Sequence, residues 1–248
     1  MTVLGWLAPA LAASASTAAG DADRAAVPAR PALLSDPAAR DRDLADSLAG
    51  SVGTDAALWV TTEAGEQLLL LRPAQGSPRG NVLLLTDPGS GPAALRRSAM
   101  LHRGLARHGW HAFLGRLPVA GEPLPAGLLQ ALLDGVRANG GGSRTVVLVE
   151  GRLGHRLLPA IAEGTPAMDA LVVLDLPWNA PELERSAKVL AGMALPTLLL
   201  QEYPRDWPRD LVLSAAVELQ RLPAGYPGLE DDLTLRRLRG WLQRDAAG

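Results

Sequence analysis

The chain carries four histidines, His102, His108, His111 and His155, and no cysteine. Without a thiol, nucleophilic chemistry has to use a hydroxyl, and a hydroxyl needs a base titrating near neutral pH. Only these imidazoles fit that description, and none lies beyond residue 155. Ser90 and His102 form one candidate pair, although a loop serine and a helix histidine serve equally well as polar surface. His108 and His111 flank Gly109-Trp110, but no cysteine or carboxylate pair nearby completes a metal set. His108 falls at a helix end, where the backbone dipole favours its proton. Glu150 and Arg152 stand two residues apart and could pair or be solvated separately. His155 opens the helix that follows and is a candidate for a pocket role. The run Gly140-Gly141-Gly142 precedes an apolar segment instead of following one. It therefore reads as a flexible turn and not as a phosphate cradle. No metal or cofactor is expected.

These residues need elements to hold them. Ser35-Asp36-Pro37 is a helix start, and a charged helix over Asp36–Leu48 follows from it. Leu58–Thr62 and Gln67–Arg72, on either side of Glu63-Ala64-Gly65-Glu66, read as a β-hairpin. Short apolar runs then recur at Asn81–Thr86, Trp110–Leu117, Thr145–Val149, Ala170–Leu174 and Pro196–Gln201. Such runs lack alternation, which suits strands buried on both faces of a parallel sheet. Helix-length segments lie between them: Ala93–Arg107, Pro125–Ala138, Leu153–Ala162, Pro181–Ala191 and Pro208–Ser214. Val217–Leu222 is a last strand, and Asp231–Gln243 a last helix with an apolar stripe. A hairpin followed by strand–helix alternation predicts an α/β fold: a three-layer α/β/α sandwich on a mostly parallel sheet with an N-terminal β-hairpin.

Composition narrows the classes of function. The chain has 248 residues, 48% of them apolar and 20% charged, with a net charge of −2. This is globular composition without the basic footprint of a nucleic-acid binder. Lys188 is the only lysine, and the arginines are scattered. At the N-terminus, Val3–Ala13 is apolar and of signal-peptide length, and Ala13-Ser14-Ala15 offers small residues for cleavage. Residues 1–15 read as a signal peptide, residues 16–34 as a linker rich in Ala and Pro, and 35–244 as the folded domain. The leader has no Lys or Arg near its start, so an Ala-rich leader on a cytoplasmic protein is the alternative. The expectation is an exported, periplasmic protein with no transmembrane segment in the mature chain.

Several stretches resemble the α/β-hydrolase superfamily. Pro78–Leu85 followed by Thr86-Asp87-Pro88-Gly89 resembles its third strand and oxyanion loop. Leu105–Trp110 resembles the step from helix through glycine to the next strand. Thr145–His155 (TVVLVEGRLGH) resembles the strand and nucleophile elbow. Pro196–Leu200 resembles the strand before the catalytic acid, and Val217–Tyr226 the strand and loop that deliver the histidine. Together with the leader, the order looks like that of an uncharacterised bacterial exported family within the superfamily, with a degenerate catalytic triad.

The resemblance implies what is missing. It puts Arg152 where the family has its serine, Glu150 where it has the first elbow glycine, and Gly154 at the second. A guanidinium stays protonated and cannot attack a carbonyl. The histidine position falls on Tyr226, whose phenol, with a pKa of about 10, is a poor base at neutral pH. Only the acid is retained, as Asp206. The oxyanion loop carries Thr86 and Asp87, and Pro88 has no N–H to donate. Losing one member of such a triad removes most of the rate. The expected function is therefore a non-catalytic hydrolase-fold protein that binds a small ligand, for which Arg152 would favour an anion, or a protein partner, with no nucleic acid involved. Arg152, Asp206, Tyr226, Thr86, Asp87, Glu150 and His155 would gather at the carboxyl ends of the strands, with Asp206 as partner for Arg152. An esterase-like hydrolase with a nonstandard residue set is the alternative. A scaffold using Trp178, Tyr203 and Trp207 as contacts is a third reading.

Overall fold

The computed structural model describes residues 56–63, 65–86, 92–117, 124, 126–141, 144–164, 167–177, 182–202, 212–222 and 232–245. The leader, the linker and the helix expected at Asp36–Leu48 lie outside them, as do Asp87, Pro88, Ser90, Trp178, Tyr203, Asp206, Trp207 and Tyr226.

β1 (Ala56–Thr62) and β2 (Gly65–Arg72) form the expected hairpin. Its connection is shorter than expected, because Thr62 already pairs with Gly65. Gly65 sits at φ 98°, a conformation that glycine takes without strain and that closes a tight hairpin. The Thr62 hydroxyl also donates to the Gly65 carbonyl at 2.7 Å.

β3 (Gly80–Thr86), β4 (Trp110–Arg116), β5 (Thr145–Glu150), β6 (Ala170–Leu174), β7 (Thr197–Glu202) and β8 (Val217–Leu222) follow in the chain. They make one eight-stranded sheet in the order β1-β2-β4-β3-β5-β6-β7-β8. Only the β1–β2 and β2–β4 pairings are antiparallel; the others are parallel. Every residue of β3, β5 and β6 is buried, as continuous apolar runs require of strands covered on both faces. The β7 strand begins at Thr197 and not at Pro196, since proline has no N–H for the ladder.

Helices cover both faces. On one side lie α2 (Ala126–Gly140), α3 (Arg152–Glu163) and α4 (Leu183–Gly192). Their Leu128, Leu132, Leu153, Leu157 and Leu190 join the core formed with Leu83, Val147, Val149 and Val173. On the other side lie α1 (Pro92–Arg107) and α5 (Asp232–Asp245). Leu101, Leu105, Leu238 and Trp241 there pack on Leu84, Leu148 and Val172. The successive residues of β5 thus serve different layers, which is the period-two rule of a strand. The result is the three-layer sandwich that the sequence predicts. Among the described residues no helix is long and apolar enough to cross a membrane.

One expected element fails in part. Residues 212–214, the end of the helix expected at Pro208–Ser214, are not helical, and the rest of that segment lies outside the described residues. Ser214 instead ties this stretch down as a connection. Its N–H donates to the Leu190 carbonyl at 3.2 Å, and its hydroxyl to the Met193 carbonyl.

Candidate functional site

In an open parallel sheet the connections after successive strands gather at the carboxyl edge. Here that edge is lined by Thr86 at the end of β3, Glu150 at the end of β5 and Asp175 just after β6. The register places Leu85 beside Val149 and Glu150 beside Leu174, so these ends are neighbours. Thr86 and Glu150 both face the α1 layer, because they continue the alternation of Leu84 and Leu148.

Thr86 is buried, and its hydroxyl donates to the Gly115 carbonyl at 3.3 Å. Glu150 is buried too, and its partner is Arg97 of α1: Nη1 lies 2.8 Å from Oε1. The pairing of Glu150 with Arg152 that the sequence spacing suggests does not form. The two residues leave the turn in different directions, one inward at the strand end and one outward on the helix. The same Arg97 Nη1 also donates to Asp175 Oδ2. Removal from water pushes the Glu150 carboxyl up to about 7, against the pull of Arg97 and with help from the negative Asp175. Asp175 is the one described non-glycine residue with positive φ, at 47°, a conformation aspartate tolerates better than most.

The turn from β5 into α3 follows. Gly151 caps α3 with φ 62° and ψ −136°. That conformation is close to glycine-only territory. Its N–H donates to the Leu174 carbonyl at 2.8 Å, and its carbonyl accepts from Gly154 N–H at 3.0 Å. The strained residue of this sharp turn is therefore Gly151, one before the position where the resemblance sets the nucleophile. The physical reason is steric: the glycine takes the strained angles without cost, and Arg152 begins the helix with ordinary ones. Above Gly151, an added Cβ would meet no atom of the described residues within 4 Å. Gly154 is the opposite case, where a Cβ would stand 2.8 Å from both Leu176 and Val173. Its smallness lets α3 press onto the sheet. Arg152 is exposed and has no hydrogen-bond or ion-pair partner among the described residues. Its expected partner Asp206 lies outside them, as do Asp87 and Tyr226.

His155 does not face open space. It is buried one turn into α3, with Nε2 2.7 Å from the Pro177 carbonyl and Nδ1 2.7 Å from Ser186 Oγ. A carbonyl only accepts, so Nε2 carries a proton and donates to Pro177, while Nδ1 and the Ser186 hydroxyl share the second hydrogen bond. A serine and a histidine thus meet at nucleophile–base distance, but Ser186 has no exposed surface. The contact fastens α3 to α4. His102 is likewise structural: buried on α1, its Nε2 lies 2.9 Å from the carbonyls of Leu70 and Ala112 on β2 and β4. His111 Nδ1 accepts from the Ala74 N–H at 3.3 Å, and His108 is approached by Arg239 of α5.

Sequence reasoning missed Arg97 and Asp175. Asp175 had a usable signal, since it directly follows the apolar run of a buried parallel strand and must reach the carboxyl edge. Arg97 had none, being one of several arginines on a helix.

No known family's sequence pattern matches the chain, and no curated protein sequence does. Its fold does match solved structures. Est1E from Butyrivibrio proteoclasticus aligns with a TM-score of 0.59 at 11% identity, covering 77% of this chain and 99% of that one. A lidless α/β serine hydrolase from Xanthomonas campestris aligns at 0.55 and 16% identity, covering 79% and 95%. An esterase from Pyrococcus furiosus aligns at 0.58 and 13% identity, covering 77% and 90%. The chain therefore has the α/β-hydrolase fold. Identities this low speak for the fold alone.

Proposed function

We propose that this is a non-catalytic α/β-hydrolase-fold protein that binds a small ligand or a protein partner at the carboxyl edge of its sheet. The observation that carries the reading is the turn at Gly151. The strained residue that such a turn exposes for attack has no side chain here. The next residue is an arginine, which is no nucleophile. The buried histidines support the same reading, because the described contacts of His155 and His102 are with Ser186 and backbone carbonyls inside the layers. Exposed Arg152 at the first residue of α3 supports an anionic group as the ligand's contact. We also propose export, with cleavage near Ala15, on the strength of the leader's pattern.

The test is hydrolysis of a generic activated ester by the purified protein across neutral pH, with Arg152→Ala alongside. The reading expects no turnover above buffer from either. Turnover that survives in Arg152→Ala would locate a different active site, and turnover lost in it would make Arg152 a participant. Either result replaces the binding reading with an esterase using a nonstandard residue set.

A further inference from the structure

Three charged side chains from separate elements meet beside the Gly151 turn. Arg97 reaches in from α1, Glu150 ends β5, and Asp175 follows β6. A single nitrogen, Arg97 Nη1, serves both carboxylates. The side chains of Arg97 and Glu150 are only 13% and 10% exposed. Among the described residues Arg97 Nε is buried without a hydrogen-bond partner, so this guanidinium is held there for its charge at the expense of its full set of donors. Around Glu150 the described elements present Arg97 from α1, Asp175 from the end of β6 and, from β3, the uncharged Thr86. Arg152, next but one along the chain, turns outward to solvent.

We propose that Arg97, Glu150 and Asp175 form a proton-controlled latch that fastens α1 to the carboxyl ends of β5 and β6, shut in acid and loosened as Glu150 ionises. Such a latch would work the same way in an enzyme and in a binding protein. In the shut state Glu150 is dry, and drying is the largest influence on its carboxyl, greater than the attraction of Arg97. Drawing α1 back admits water and removes both. The carboxyl then falls from about 7 toward its ordinary 4.5. A state in which an acid gives up its proton more readily gains population as pH rises between the two values. In acid the shut state keeps the Arg97–Asp175 pair beside a neutral Glu150 carboxyl, and once Glu150 ionises its carboxylate gains more from water than from Arg97. Linkage with those values predicts that the opening equilibrium rises about tenfold from pH 6 to pH 8 and levels off above. Because the edge that α1 borders is the natural ligand site of this fold, the latch would tie access there to pH.

Amide hydrogen exchange on the full chain at pH 6 and pH 8, corrected for intrinsic exchange, tests this. Amides of α1 from Arg97 to Arg107 should lose about tenfold in protection at pH 8 relative to those of β5, from the linkage above. Glu150→Gln should abolish the change. Arg97→Gln, made alongside in case the first variant fails to fold, should leave α1 weakly protected at both pH values. Equal protection of wild-type α1 at the two pH values would overturn the latch. So would a pH response retained in Glu150→Gln, or an α1 in Arg97→Gln as protected as the wild type at pH 6.

Discussion

Replacing Glu150 by Gln should stabilise the protein at neutral and alkaline pH, which is unusual for a substitution that breaks a buried ion pair. The Glu150 carboxyl stands at about 7 in the folded chain against 4.5 when solvated. An acid raised on folding lends its full stability below the unfolded value and loses it as pH climbs to the folded one. The loss therefore develops between about pH 4.5 and pH 7 and is complete just above. At about 1.4 kcal/mol per pH unit the difference amounts to about 3 kcal/mol. That is a large share of the 5–15 kcal/mol typical of a domain. Glutamine keeps the shape and some hydrogen bonding but never ionises, so the variant does not bear this cost. Asp175 remains to partner Arg97, which keeps the guanidinium from being left alone. Urea denaturation of wild type and variant from pH 5 to pH 8 reads the effect directly. The variant's advantage should grow toward about 3 kcal/mol over that range and flatten above pH 8. A stability difference that stays constant with pH would mean that Glu150 is solvated or fully compensated. Glu150 would then carry no cost of burial, and the latch would have no proton to work with.

Further substitutions probe the frame around the turn. Gly154→Ala should cost about 1–3 kcal/mol in denaturation, because its Cβ would press on Leu176 and Val173. Ser186→Ala should cost about 1–2 kcal/mol by removing the hydroxyl that shares a buried hydrogen bond with His155 Nδ1. Arg152→Ala, at an exposed position, should change stability by no more than about 0.5 kcal/mol, and a larger loss in a thermal melt would reveal a partner for the guanidinium. Leu83→Ala, in a residue with no exposed surface on a strand covered from both sides, should cost about 2–5 kcal/mol.

The fold was legible because its signals are local. Asn81–Thr86, Thr145–Val149 and Ala170–Leu174 are unbroken apolar runs, and in a parallel sheet covered on both faces such runs can only be interior strands. The hairpin was legible from the turn residues Glu63–Glu66 between two strand-like runs, and in the structure Leu58 and Val60 on β1 alternate with exposed residues, as at a half-covered end of the sheet. The site was harder to read because it depends on partners distant in sequence. Glu150 could be placed at the edge, but the arginine it meets lies on α1, more than fifty residues earlier. Spacing suggested Arg152, whose backbone is close but whose side chain starts a helix and leaves the turn. His155 was singled out for its type, and type alone could not tell that Ser186 and the Pro177 carbonyl occupy both of its nitrogens. The elbow itself shows how a motif can be right in kind and displaced by one residue. The spacing to Gly154 selects Arg152, whereas steric preference gives the strained angles to Gly151.

The claim that the elbow holds no nucleophile is tested most directly with a fluorophosphonate probe, which captures an activated serine by forming a covalent bond to its oxygen. The purified full chain would be incubated with the probe and its intact mass measured, next to an active esterase as a positive control. The account predicts an unchanged mass, since Gly151 has no side chain and Ser186 is sealed between α3 and α4. A stoichiometric adduct on any serine would contradict it, and the labelled peptide would name the residue that does the chemistry.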